Sequence, residues 1–301
     1  MNKSAVYFIH ALSPLHPGVG QGVGSVDLPV AREKATGIPY LPGSSVKGVL
    51  RDAARVGGWP ASKEEAIFGP DTNHADAHAG AAYFGDAKLL LLPVRSYAGV
   101  FAYATSPYLL RRFKREAEMA GIETPELPEG PKEQDVALVG EGSEVVDEIT
   151  VKEGTKEKKV LLEDLDFNPE VDSLVPKWEQ WILRHAEGLD LPLKGRLLVL
   201  EDDVMSYLLE TALEVVTRIR IDETKKTVAK GALWFEENIP AESVLYGLLS
   251  VAPKSFGPAN GSALLGQEIL DQLKELIRSP LQFGGNATVG RGLSRMALVV
   301  S

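Results

Sequence analysis

Residues 121–172 carry sixteen Asp and Glu against five Lys and Arg, and they open with Pro125, Pro128 and Pro131 set among glutamates. So acidic and proline-broken a stretch has too little apolar surface to build a core of its own. The flanks must therefore supply the fold, with 121–172 as an insert in one domain spanning 1–301. Within the insert, 148–162 alternates around Glu153-Gly154-Thr155 and predicts a surface hairpin. The expected state of the insert is a solvated excursion from the main body; a docking surface for a neighbouring subunit is the alternative.

The flanks read as mixed α and β. Strands are predicted at 5–12, at 82–94 around a Gly85-Asp86 break, and at 293–300; a hairpin is predicted over 215–238. Helices are predicted at 44–55, 178–186, 203–211 and 263–277. A basic helix over 106–120 is opened by Ser106-Pro107, an N-cap and first-turn pair. Strands at both ends enclosing helices imply an α+β sandwich around one sheet.

The net charge of −10 speaks against an independent basic nucleic-acid binder. That average hides its source: outside 121–172 the chain holds twenty-six acidic and twenty-seven basic residues. The absence of cysteine excludes disulfides, Cys-ligated zinc, iron–sulfur clusters and thiol nucleophiles, and fits a cytoplasmic location. Residues 4–12 are too short to span a membrane and lack a signal-peptide cleavage pattern, so no membrane partner is expected.

The helix after Pro42-Gly43 places Val46, Val49, Leu50, Ala53 and Ala54 on a buried stripe, with Lys47, Arg51 and Arg55 four residues apart on another face. Its N-terminus, with Ser44 and Ser45, offers unsatisfied N–H groups and a positive dipole end. Together these can hold successive phosphates of an extended backbone; an ordinary solvated basic face is the alternative. Two glycine-rich stretches, 18–24 and 285–292, fit neither the dinucleotide fingerprint nor the P-loop, so ATP and NAD are rejected. The second leaves Gly285, Asn286, Thr288 and Arg291 as ligand contacts, or a purely structural turn. On the hairpin, Arg218 and Arg220 fall on one face by alternation, and Lys225, Lys226 and Lys230 continue the charge towards its tip. Trp234 and Phe235 sit on the return strand, and basic charge beside aromatic rings suits single-stranded nucleic acid.

Acid–base candidates are few. Asp27 is the only acid before Glu33, a metal ligand, a base or a turn-stabilising residue. His16 lies nearby in sequence, and Glu236 and Glu237 end the hairpin. The run Asp71, Asn73, His74, Asp76, His78 imitates a metal cluster but fits no EF-hand. None of the G-x-S-x-G, H-E-x-x-H or kinase motifs occurs.

Taken in order, the segments His10-Ala-Leu-Ser-Pro-Leu-His16, Val26-Asp-Leu-Pro-Val-Ala-Arg-Glu-Lys34, Pro42-Gly-Ser-Ser-Val-Lys-Gly-Val-Leu-Arg51, Tyr83-Phe-Gly-Asp86, Pro93-Val-Arg-Ser96 and Gly284-Gly-Asn-Ala-Thr-Val-Gly-Arg-Gly292 resemble the RAMP superfamily of CRISPR-associated proteins. Within it, they resemble the repeated backbone subunit of the Cmr (type III-B) effector complex. The resemblance covers 4–110 and 215–300. It implies an RRM-like (ferredoxin-like) core with inserted lobes, a thumb hairpin and a C-terminal glycine-rich loop. It also implies copies stacked head to tail along a guide RNA, other Cmr-complex subunits, and a target RNA cut every sixth nucleotide. The Lys47 helix and the 284–292 loop would meet the guide backbone, and the 215–238 hairpin would be the thumb. Asp27 would be the acid, and the metal ligand, of a divalent-cation-dependent (Mg2+) cleavage, with His16 and Glu237 in supporting roles. A purely structural RNA-binding subunit and a guide-processing endoribonuclease of the same superfamily are the alternatives.

Overall fold

A computed structural model of the chain describes residues 2–20, 22, 26–71, 78–152, 155–221, 228–255 and 263–301. The first half runs β1 (Lys3–Ala11), β2 (Tyr40–Leu41), α1 (Gly43–Val56), α2 (Ala61–Phe68), β3 (Ala82–Phe84), β4 (Ala87–Arg95), β5 (Phe101–Thr105) and α3 (Pro107–Met119). The acidic stretch then contributes β6 (Val136–Val139), β7 (Asp147–Lys152), β8 (Thr155–Leu162) and β9 (Leu165–Val171). After it come α4 (Val175–His185), β10 (Leu197–Val199), α5 (Asp202–Thr211), β11 (Glu214–Ile221) and β12 (Val228–Asn238). The chain closes with β13 (Val244–Val251), α6 (Gly266–Leu276), β14 (Leu281–Gln282) and β15 (Leu293–Val300).

Among the described residues thirteen strands join one mixed sheet, in the order β14-β15-β1-β13-β4-β5-β10-β6-β9-β8-β7, with β2 beside β4 and β3 beside β13. The hairpin β11–β12 stands apart as a two-stranded sheet. β1 is central and buried on both faces. Ala5, Tyr7, Ile9 and Ala11 enter the core shared with α1, α5 and α6, while Val6 and Phe8 enter the core shared with α3 and α4. This is the period-two consequence of a strand sandwiched between two helical layers.

Local signals placed several boundaries. Ser106 caps α3 by accepting the Leu109 N–H at 3.4 Å, with Pro107 at the first helical position. The Gly85-Asp86 break separates β3 from β4, and Asp86 accepts the Gly43 N–H at 2.7 Å. The α6 helix starts at Gly266, later than 263, because Leu265 is its N-cap and its N–H is taken by the Glu268 carboxylate at 2.7 Å.

One expectation fails. The acidic stretch is not a solvated excursion: β6 and β9 pair in parallel, β6 joins β10 antiparallel, and β10 joins β5. Ala137, Leu138, Val139, Val145, Val160, Leu162 and Phe167 are buried. The charges cluster on exposed positions such as Lys156, Glu157 and Lys158, so average composition concealed a buried apolar set that the rest of the sheet completes. Even its proline-rich start is tied down, with the Trp181 and Trp178 indole N–H groups donating to the carbonyls of Glu123 and Glu126 at 2.8 and 2.9 Å. The 147–162 hairpin itself forms as predicted, and the Thr155 end of β8 is exposed.

Candidate functional site

The base of the β11–β12 hairpin gathers most of the candidate residues. Residues 26–32 run alongside β12, with Leu28 donating to the Phe235 carbonyl at 3.0 Å and Glu237 donating back to the Leu28 carbonyl at 3.0 Å. The side chain of Asp27 completes this pairing: its Oδ2 accepts the Phe235 N–H at 2.8 Å. Asp27 is exposed, so its second carboxylate oxygen is left towards solvent beside the hairpin. The Phe235 ring is 37% exposed, and Val215, Ile219 and Leu233 are also exposed. The hairpin therefore carries an uncovered apolar row next to an anchored carboxylate.

Glu236, the residue after Phe235, is buried at 3% exposure and joins two elements. It accepts from Asn286 Nδ2 at 2.9 Å, from Arg291 Nε at 3.3 Å and from Arg218 Nε at 3.4 Å. Burial alone would raise its carboxyl, but the Arg218 guanidinium first, and then that of Arg291, overcome this and hold it below the usual carboxylate range. Arg291 also pairs with Glu214 at 3.4 Å. Glu236 thus clamps the root of the hairpin to the C-terminal glycine-rich loop. In that loop Asn286 adopts a left-handed φ of 61°, and Gly285 donates to the His16 carbonyl at 2.8 Å. Gly292 has φ 79°, and a Cβ there would lie 1.8 Å from the Phe283 carbonyl oxygen, so only glycine fits.

The supporting roles expected of His16 and Glu237 meet occupied side chains. His16 is buried, and its Nδ1 is 2.7 Å from the Glu237 carbonyl, an arrangement that makes Nδ1 the protonated nitrogen. Glu237 accepts from Arg32 at 2.7 Å and from the Val30 N–H at 3.0 Å. Both residues hold the 26–32 segment and the loop in place. Arg32, unremarked in the sequence, is the residue that fixes Glu237, and it also donates to the carbonyls of Gly37 and Leu209 at 2.9 and 3.0 Å.

The donor set does not fit a metal held by the protein alone. Among the described residues no three His, Asp or Glu converge, and Asp27 is the one open carboxylate at the hairpin base. Asn73, His74 and Asp76 of the cluster seen in the sequence lie outside the described residues, as do Lys225 and Lys226.

On helix α1, two of the three expected cations already have a carboxylate partner. Arg51 is not a free phosphate ligand: it pairs with Glu64 of α2 and donates to the carbonyls of Gly69 and Pro70 at 2.9 and 3.1 Å. Arg55 binds both oxygens of Glu64, at 3.0 and 2.9 Å, although its side chain is 55% exposed. Burial would raise Glu64, and the two guanidiniums outweigh it, so its carboxyl stays low. The positive N-terminus is also partly answered, because Asp86 already takes the Gly43 N–H. Ser44 remains exposed and Ser45 half-buried. Lys47 has no ion pair among the described residues, and its ammonium is held below the ordinary lysine value by burial and then by Arg51. On the hairpin, the register shifts between Ile219 and Ile221, so Arg220 stands at an irregularity and the alternation ends at Arg218. Arg220 and Thr288 are exposed.

The family model of the RAMP superfamily matches residues 8–295. The CRISPR system Cmr endoribonuclease Cmr4 of Pyrococcus furiosus is 39% identical to this chain over 98% of it and 96% of that protein. The crystal structure of oligomeric Cmr4 from the same organism superposes with a TM-score of 0.73 at 32% identity, over 98% of each chain. A chain of the type III-B Cmr-beta complex bound to cognate target RNA, seen by cryo-EM, matches with a TM-score of 0.71 over 98% of this chain and 96% of that one, and at 22% identity shares the fold.

Proposed function

Because this chain belongs to the RAMP superfamily, we propose that it is the repeated backbone subunit of a type III-B CRISPR effector complex, in the cytoplasm, binding guide RNA and cutting complementary target RNA at six-nucleotide intervals. Further copies of itself and other Cmr-complex subunits are its partners, and the sheet around β1 with its two helical layers would be the RRM-like core. The observation that carries the nuclease reading is the Asp27 carboxylate, anchored by one oxygen to the Phe235 N–H and open at the other, beside an exposed ring on a projecting hairpin.

A stacked A-form duplex keeps a ribose 2′-hydroxyl out of line with its own phosphate. An apolar row wedged into the duplex splays one nucleotide, and Phe235 can stack on the displaced base. The freed 2′-oxygen attacks the adjacent phosphorus, the bond to the 5′-oxygen breaks, that oxygen takes a proton from water, and a 2′,3′-cyclic phosphate and a 5′-hydroxyl result. Asp27, already positioned, takes the 2′-hydroxyl proton. Lys47 and the Gly284–Gly292 loop would track the guide backbone, with Arg218, Arg220 and Arg291 near the hairpin. A Mg2+ requirement would be met by an ion arriving with the RNA phosphates and meeting one protein carboxylate, a common habit of that ion.

The test is assembled complex with matched target RNA. Cuts at six-nucleotide spacing are expected from the native protein, with none from Asp27→Asn although guide and target still bind. Equal loss of binding would make Asp27 structural; unchanged cutting would leave the chain a non-catalytic backbone. Cutting in excess EDTA would remove the metal.

A further inference from the structure

We propose that the outer edge of β15 is a docking slot for an extended, acidic segment of a neighbouring polypeptide, which adds to the main sheet as one more strand. This rests on the reading that the chain works inside a multisubunit assembly and names a surface and a partner chemistry for it.

The argument begins with hydrogen-bond parity. Leu12 donates to the Leu293 carbonyl, and β1 and β15 pair in continuous register from Ala11↔Ser294 to Ala5↔Val300. In an antiparallel ladder this makes Arg295, Ala297 and Val299 the residues whose main-chain groups face β1. The groups of Ser294, Met296 and Leu298 face the other way. Ser294 is met there by Leu281 of β14, but β14 is only two residues long. Among the described residues, β15 has a strand on one side only from Arg295 onward. Such an unpaired edge is a template for another strand unless something blunts it.

Among the described residues, the space beside it is open. A groove of about 520 Å³ runs along residues 295–298, between the end of α4 (His185, Gly188) and the end of α6 (Lys274, Ile277, Arg278). The two helical layers on the faces of the sheet therefore form the walls of the slot, and the β15 edge forms its floor. Met296 and Leu298 turn their side chains to the same core as α6, while Ala297 packs towards the opposite layer. An added strand would find the same two layers continuing over it.

The rim sets the charge of the occupant. Among the described lining residues Lys274, Arg278 and Arg295 face a single acid, Glu187, with Asp190 and Glu275 paired to two of these cations just outside the lining. Lys274, in the last turn of α6, has a local reason to be there, since a cation suits a helix C-terminus. Arg295, on the strand, has none. Its contact with Asp190 is long at 3.5 Å, and among the described residues Arg278, just past the end of α6, pairs with Glu275 alone, both of them exposed. Exposed pairs of this kind are weak and exchange readily for a better-placed carboxylate. A phosphate backbone would satisfy the cations and the outward N–H groups but offers its phosphates no donor for the outward carbonyls of Met296 and Leu298. A polypeptide strand supplies donors and acceptors alternately, with Asp or Glu side chains for the rim.

Residue-resolved hydrogen exchange on the free chain and on the assembled, guide-loaded complex decides it, with target cutting measured on the same samples. In the free chain the Met296 and Leu298 amides should exchange fast and those of Ala297 and Val299 slowly. In the complex Met296 and Leu298 should slow by tenfold or more, and R278E/R295E should abolish that gain. A complex that cuts its target normally without slowing these two amides overturns the slot and leaves the functional reading standing. Slowing produced by RNA alone on the isolated chain also overturns it, because the occupant would then be nucleic acid. Photo-crosslinking from position 297 in the complex should recover a peptide rich in Asp and Glu; recovery of RNA or of a basic peptide contradicts the proposal.

Discussion

Single side chains at the hairpin root do more than the sequence advertised. Asp27 stood out because it was the only early acid, but what makes it usable is the Phe235 N–H that fixes one oxygen. Glu236 was visible only as one of two acids ending a hairpin; its role depends on Arg218, Asn286 and Arg291, each far away in sequence or on another strand. Replacing Glu236 with Gln should lower stability at neutral pH by about 2 kcal/mol, since two cations lose their partner. The pH dependence has a definite sign. The folded carboxyl lies below its unfolded value of about 4.3, so its contribution is complete above that value and is lost as pH falls through the folded one. Thermal melts of the variant and the native protein should therefore converge on acidification. Lys47 and Arg51, equivalent by spacing, now separate. Lys47→Ala should leave stability within about 0.5 kcal/mol yet weaken guide binding and reduce its salt slope by about one. Arg51→Ala should cost about 2 kcal/mol, because Glu64 keeps only Arg55 and the Gly69 and Pro70 carbonyls lose their donor, which melts and binding isotherms together can tell apart.

Elements with strong local signals were legible in advance. Ser106-Pro107 opens α3 as expected, and Ser106→Ala should destabilise the protein by about 1 kcal/mol in denaturant titrations, with RNA binding unchanged once folded. The hairpin was legible too, but not its irregularity at Arg220 or the exposure of its apolar row, because alternation gives two faces without saying which one is covered. Helix α1 shows the same limit. Its buried stripe was readable from spacing, whereas the capture of Arg51 and Arg55 by Glu64 depends on α2 folding back against it.

At the scale of the molecule, the acidic stretch is where composition misled. Its strands extend the sheet from β10 outward, so deleting 136–171 should expose the apolar flank of β10 and give an aggregating chain rather than a trimmed, working subunit, as size-exclusion chromatography would show. No described helix is long and apolar enough to cross a membrane. The sequence by itself determined the α+β class, the first and last strands, the start of α3 and the set of motifs that point to the family. These depend on backbone preferences and on side-chain periodicity within a few residues. Only the tertiary structure decided which charges are spent on one another, that residues 121–172 belong to the core, and that Asp27 meets the hairpin. Those outcomes depend on partners from 13 residues apart, as for Arg51 and Glu64, to 208 apart, as for Asp27 and Phe235, and no local pattern records which partner a side chain will find.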